Sequence, residues 1–322
     1  MKKIYYIAVV FAILFLAGCG DGIDLPGVNV ETDLNKIPLP DNNVNLEQVE
    51  LKPSTEPMLH EGLHTEEDFQ RIRDKKAAGE EPWVSAYQLL VESQFSQKTA
   101  DTYPTEWIKR GVSGDENYMN AARGATIVYQ QALRWKIEQD DEYAAKAVEN
   151  LNKWVQTCVG VTGNTNLSLA AGLYGYEFAI AGELLRDYEG WDRADFAAFQ
   201  NWLLKVFYPA NDDFLKRHHD TNALHYWANW CLCNIAAKMA IGIVTDRRDI
   251  YNEGIAHLQT GDTNGRLRRA IYHDYAPDYN FAQWQESGRD QGHTLMCVGL
   301  MGVICQLAWS QGDDFFAYDD NL

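Results

Sequence analysis

Positive charge is what this chain has least of: 28 Lys and Arg stand against 46 Asp and Glu, a formal net charge of −18. Such a surface repels nucleic acid and anionic lipid, which excludes both as general partners. It repels a polyanionic sugar as well, so a substrate of that kind needs a locally basic cleft. Arg266, Arg268, Arg269 and His273 in "GRLRRAIYH" form one candidate, and a solvated helix face explains the same cluster. A disulfide framework is also missing. Cys158, Cys231, Cys233, Cys297 and Cys305 remain once Cys19 is set aside, an odd number. Cys231 and Cys233 project about 200° apart on a helix, so they cannot jointly grip a metal. They are expected as buried apolar thiols. Alternating strand residues, a strand-flanked Asn-Gly hairpin and a tight internal repeat are absent too, which argues against an all-β architecture.

The longest apolar run, Ile4 to Ala17, falls short of the roughly 20 residues that span a bilayer. It follows Lys2 and Lys3 and runs into Leu16-Ala17-Gly18-Cys19, the pattern of a bacterial lipobox with cleavage before Cys19 and lipid on its sulfur. Residues 1–18 are therefore expected to be a lipoprotein signal peptide. Residues 19–58, rich in Pro, Asn and acids, are expected to be a flexible tether. The implied setting is a membrane-anchored protein, periplasmic or on the outer surface of a bacterium.

From Leu59 the pattern changes to helix after helix. Thr65 caps "EEDFQRIRDKKA", with acids in its first turn, basic residues in its last and Gly79 as a stop. Tyr143, Ala147, Leu151 and Trp154 line one face of the helix after residue 140. Further helices are expected near Leu167–Tyr188, Arg193–Phe207, Asn222–Val244, Arg248–Leu258 and Asp290–Gln311, with a polar, Tyr-rich interruption from Gln259 to Gly288. Short links between amphipathic helices predict an all-α chain of antiparallel hairpins.

Two segments mix imidazole, amide or guanidinium groups with aromatic rings. Read as a helix, "TNALHYWANWC" places Asn222, His225 and Asn229 on one face at i, i+3, i+7, with Tyr226 and Trp230 beside them and Trp227 beyond. A buried structural histidine among core aromatics explains that stretch equally well. In "QWQESGRDQGHT", Arg289 falls near the N-terminus of the helix expected from Asp290, where an anion is favoured, and His293 follows one turn later. Glu286 and Asp290 suit the orienting of Arg289, and a buried arginine–carboxylate knot is the competing reading. His218-His219, adjacent in a loop, suit water or a sugar acid better than a metal, and no metal or other cofactor is expected.

These segments, with "GDTNGRLRRAIY", "LAWSQGDDFFAYDDN" and "LAAGLYGYEFAIAGELLRDY", resemble the alginate-lyase-like family of helical-toroid polysaccharide lyases, which includes gut-bacterial alginate and glucuronan lyases. The resemblance runs from Leu59 to the C-terminus. It implies an (α/α) toroid over residues 59–322, and β-elimination on an acidic polysaccharide. Resembling chains continue past "YDDN" into further helices, so an incomplete barrel is expected, with apolar helix faces exposed.

The resemblance also implies roles. Groups that neutralise the uronate carboxylate acidify its C5 proton, a base removes that proton, and an acid protonates the oxygen leaving C4. Asn229 and Arg289 are the candidates for neutralisation, and His225 is the favoured base. Tyr226 or His293 is the acid, although on a helix Tyr226 stands about 100° from His225, and Tyr275 or Tyr279 could replace it. Asn222, Trp227, Trp230, Gln285, Arg266 and Tyr279 would contact substrate. Two other readings stay open. A non-catalytic glycan-binding lipoprotein needs only the aromatic platforms. A glycoside hydrolase needs two carboxylates flanking the bond, and Glu286 and Asp290 lie too close along the chain to flank it. The choice among mannuronate, guluronate and glucuronate, and the oligomeric state, are not written in the sequence.

Overall fold

The computed structural model describes residues 50–274 and 282–316. Residues 1–49, Cys19 among them, and Tyr275 and Tyr279 lie outside them, so the expected signal peptide and most of the expected tether do too. The elements in chain order are α1 (Glu66–Ala77), α2 (Trp83–Glu92), β1 (Trp107–Arg110), α3 (Tyr118–Glu138), α4 (Asp141–Thr157), β2 (Gly160–Gly163) and α5 (Leu167–Leu184). They continue with α6 (Arg193–Val206), α7 (Tyr208–Arg217), α8 (Ala228–Val244), α9 (Arg248–Thr260), α10 (Leu267–Ala270), β3 (Ile271–Asp274), β4 (Ala282–Trp284) and α11 (Gln291–Ser310). The all-α expectation holds, with two small additions that lacked an alternating signature: a parallel pair β1–β2 and an antiparallel pair β3–β4.

Helices α3, α5, α8 and α11 stand side by side as an inner layer, with α4 packed on α3 and α9 on α8. Sequence explains the layering. The outer helix α4 buries the Tyr143, Ala147, Leu151 and Trp154 stripe and leaves its other face wet. The inner helices α5 and α8 are buried almost all round, as helices apolar on every side must be. Gly172 makes their close approach possible, because a Cβ there would stand 2.5 Å from Cys233 Sγ. All five cysteines after Cys19 are free and buried, as expected. Lys238, fully buried on α8, bonds Asp212 of α7 at 2.8 Å and Glu253 of α9 at 2.5 Å. Removing either acid would strand a buried charge.

The ends of the inner helices gather at two poles. At one, residues 52–64 dock on the C-terminal ends of α5, α8 and α11. Gln311 bonds the backbone of Leu59 and Glu61, His60 meets Asp246 at 3.0 Å, and Arg186 bonds Glu183, Asp246 and the Ile243 and Val244 carbonyls. Arg248 and Asn252 hold the backbone of Lys52, Glu56 and Pro57, so the packed body begins before Leu59. At the other pole the N-terminal ends of α5, α8 and α11 converge, and both histidine-bearing segments lie there. One expectation needs correcting at that pole: the helix read from Asn222 begins at Ala228. Asn222 turns its side chain onto the Leu224 N–H at 2.8 Å, a local bond that competes with helix. Helix α11 leaves Leu295, Val298 and Trp309 exposed.

Candidate active site

The site begins with a backbone strap. Helix α7 ends at Arg217, and His218, His219 and Asp220 all take left-handed φ of 49°, 52° and 59°. Three such non-glycine residues in a row are costly and persist only where their surroundings hold them. Arg217 grips Asp220 with two bonds of 3.0 and 2.7 Å, and Thr221 Oγ1 donates to the His218 carbonyl at 2.6 Å. The strap delivers His218 Nε2 to within 3.7 Å of Cys231 Sγ on α8. It delivers His219 Nε2 to 3.0 Å from Ser168 Oγ at the start of α5. Burial, then the neighbouring His219, holds the His218 imidazole below its ordinary pKa.

Tyr226 is the centre of this wall. Its buried ring lies 5.2 Å from Phe214, 5.7 Å from His219, 4.9 Å from His225 and 4.7 Å from Trp230, centroid to centroid. Asn264 fixes the loop by donating to the carbonyls of Leu224 at 3.0 Å and Tyr226 at 2.8 Å. His225, Trp227 and Asn222 are exposed on its outer side.

The helical-face argument for Asn222, His225 and Asn229 therefore fails, because the first two precede the helix. The 100° objection to Tyr226 falls with it, since the two rings are edge-to-face neighbours. Asn229 sits buried in the first turn of α8, its Oδ1 accepting from the Trp230 N–H at 3.0 Å.

The adjoining wall is built from charge. Asp290 caps α11 by accepting the His293 N–H at 2.8 Å and also meets His293 Nδ1 at 2.7 Å. That backbone N–H is the main cause holding the Asp290 carboxyl below its ordinary range. Arg289 is exposed and already engaged, with Nη1 2.6 Å from Glu286 Oε1 and Nε 3.6 Å from Asp290 Oδ2. It lies just before the helix, as the sequence implied, but as a carboxylate knot and not as an open cation. Gln285 accepts the Ala228 N–H at 3.0 Å and donates to the Arg269 carbonyl at 2.7 Å. Both ends of its amide are spent on joining the start of α8 to Arg269, which leaves little for substrate. Arg266 starts α10 with its Nε buried and without a hydrogen-bond partner among the described residues.

Tyr226, His225, Trp230 and Asn229 thus come together at the start of α8, and Arg289 and His293 at the start of α11. The two groups join where Cys297 of α11 meets the Asn229 backbone. His219 is the residue sequence reasoning underrated. A pair of histidines after the basic end of a helix gave a signal, but only the left-handed strap places it against Tyr226.

The alginate lyase family profile matches residues 72–321. No curated protein matches the chain. Among solved structures, a histidine-to-alanine variant of alginate lyase A1-III complexed with tetrasaccharide has a TM-score of 0.60 and 14% identity, over 81% of this chain and 73% of that one. Alginate lyase A1-III from Sphingomonas species A1 gives a TM-score of 0.55 and 13% identity, over 81% and 74%. An alginate lyase from Bacteroides ovatus gives 0.53 and 14%, over 80% and 78%. The fold is the (α/α) toroid of these enzymes, and the chain belongs to the alginate lyase family.

Proposed function

We propose that the chain cleaves a uronate polymer by β-elimination, with His225 as base and Tyr226 as acid at the convergent N-terminal ends of α5, α8 and α11. The observation that carries this reading is the packing of His225 edge-to-face on Tyr226 at 4.9 Å, with His219 behind it. A ring nitrogen of His225 takes the C5 proton. The electron pair left at C5 is delocalised into the carboxylate and then forms the C4–C5 double bond as the C4–O4 bond breaks. Tyr226 gives its proton to O4, and the tyrosinate recovers it from solvent or from His225.

Charge on the intermediate needs an electropositive surround. Two helix N-termini, the Asn229 amide and Arg266 would supply it, and the paired Arg289 would contribute less. Trp227 and Trp230 would flank the sugar rings. The solved neighbours include a histidine-to-alanine and a tyrosine-to-phenylalanine variant of alginate lyase A1-III, each complexed with tetrasaccharide, which supports a histidine and a tyrosine beside the polymer. A lipid on Cys19 would tether the enzyme to a bacterial membrane.

The test is ultraviolet absorbance of the new double bond, using protein lacking residues 1–19 and a panel of poly-mannuronate, poly-guluronate, alginate and glucuronan. A rise on one polymer that His225→Ala and Tyr226→Phe abolish supports elimination and names the substrate. Folded protein that binds the panel without any rise would replace this reading with the glycan-binding one.

A further inference from the structure

Two ionisable side chains each keep a buried atom without a hydrogen-bond partner among the described residues. Arg110, at the end of β1, has its Nη1 buried without a hydrogen bond, and Glu177, on α5, has its Oε2 enclosed in the same way. Neither forms an ion pair among the described residues, although the chain holds 46 acidic groups. Buried polar atoms are normally satisfied, so each orphan calls for an explanation.

The two orphans share a neighbour. Arg110 Cζ lies 4.7 Å over the ring of Tyr118, and the Tyr118 ring lies 6.5 Å from that of Tyr174, nearly parallel at 11°. Glu177 follows Tyr174 by one helical turn on the same face of α5. Burial pushes the Tyr174 phenol up, Arg110 opposes that rise and Glu177 adds to it, which places both groups within reach of one ring. Glu177 itself is half-buried, so part of its side chain meets solvent. Burial pushes its carboxyl up to about 8, so at neutral pH it donates as well as accepts. Tyr129, whose phenol is pushed up by burial and then by Glu177, meets His64 Nε2 through its Oη at 2.5 Å.

A ligand satisfying this set needs an anion for Arg110, hydroxyls for Glu177 and a flat apolar face for the tyrosines. A uronic acid residue has all three. We infer that Arg110, Tyr118, Tyr174 and Glu177 form a uronate-binding subsite apart from the His225–Tyr226 pair. This rests on the polyuronate reading above and adds a second point of grip to it.

Calorimetric titration of the protein with trimannuronate, triguluronate and triglucuronate, and with their carboxyl-reduced counterparts, tests the inference. Arg110→Ala should weaken the best acidic trimer about tenfold or more while leaving its reduced counterpart unchanged. Glu177→Ala should weaken both forms alike, by about three- to tenfold. In the elimination assay both variants should raise KM and hold kcat within about twofold. Arg110→Gln serves where the alanine variant does not fold. The subsite is wrong if Arg110 variants shift both ligands equally or neither, or if the parent protein binds no trimer. Arg110-dependent binding without any elimination would sink the lyase reading alone, and elimination with unchanged KM in these variants would sink the subsite alone.

Discussion

Residues 218–230 and 285–293 meet at the same pole of the inner helices and are held by opposite means. The first segment is fixed by packing: a left-handed strap, a buried tyrosine and a ring of aromatic and imidazole contacts with little net charge. The second is fixed by ion pairs and a helix cap, with Arg289 and Asp290 in solvent. Groups that must transfer protons gain from the first kind of wall, where packing fixes their orientation. Charges that spend their pairing on one another have less left for a ligand. Arginine at a helix N-terminus looked like the obvious carboxylate holder in the sequence, and its own neighbours claim it first.

The largest expected effect separates the walls directly. Tyr226→Phe and His225→Ala should each lower kcat by about 10²–10⁴, the usual worth of a positioned acid or base. Circular dichroism should show the fold kept, since His225 is exposed and phenylalanine fills the Tyr226 cavity. Arg289→Ala should cost no more than about tenfold in kcat/KM, because the guanidinium is committed to Glu286. Equal losses in all three variants would erase the distinction between the walls. The next effect is on stability. Gln285→Ala leaves the Ala228 N–H and the Arg269 carbonyl without their partner. Urea unfolding should show a loss of about 1–3 kcal/mol. A loss below about 0.5 kcal/mol would mean water takes over both bonds and would return Gln285 to the list of substrate contacts.

Helical periodicity is a local property, and most of the fold followed from it. The Thr65 cap, the Tyr143–Trp154 stripe and the limits of the helix from Arg193 were legible because a few neighbouring residues determine them. The start of α8 was not. "TNALHYWANW" has good helical spacing, yet the Asn222 side chain diverts the backbone and Gln285, 57 residues on, caps the Ala228 N–H. The same limit applies to the site. His225, Tyr226 and Trp230 were legible as a cluster because they are close in sequence. The contact of His219 with Tyr226 depends on three left-handed residues that no spacing rule anticipates. Arg110 and Glu177 were invisible for a further reason: what marks them is the lack of a partner, and partners are known only in three dimensions.

The smallest effect is the most discriminating, because the two walls should respond to acid in separate windows. His218 has a folded pKa lowered by burial, whereas the unfolded chain titrates near about 6.5. Between those values the unfolded state binds more protons, so stability falls as pH drops below about 6.5. His64 and His257, both pressed down to about 4 chiefly by burial, add to the same slope. Asp290 has a folded pKa below its ordinary value, so its contribution is whole above about 3.9 and is lost only as pH falls through the folded value. Unfolding free energies measured from pH 8 to pH 3 should therefore show an upper limb that His218→Asn shallows and Asp290→Asn leaves alone. Asparagine tolerates the left-handed backbone at 218, so the strap keeps its course in that variant. Asp290→Asn should change only the lower limb. An upper limb untouched by His218→Asn would show that the imidazole is hydrated, and the packed wall would then be no drier than the charged one.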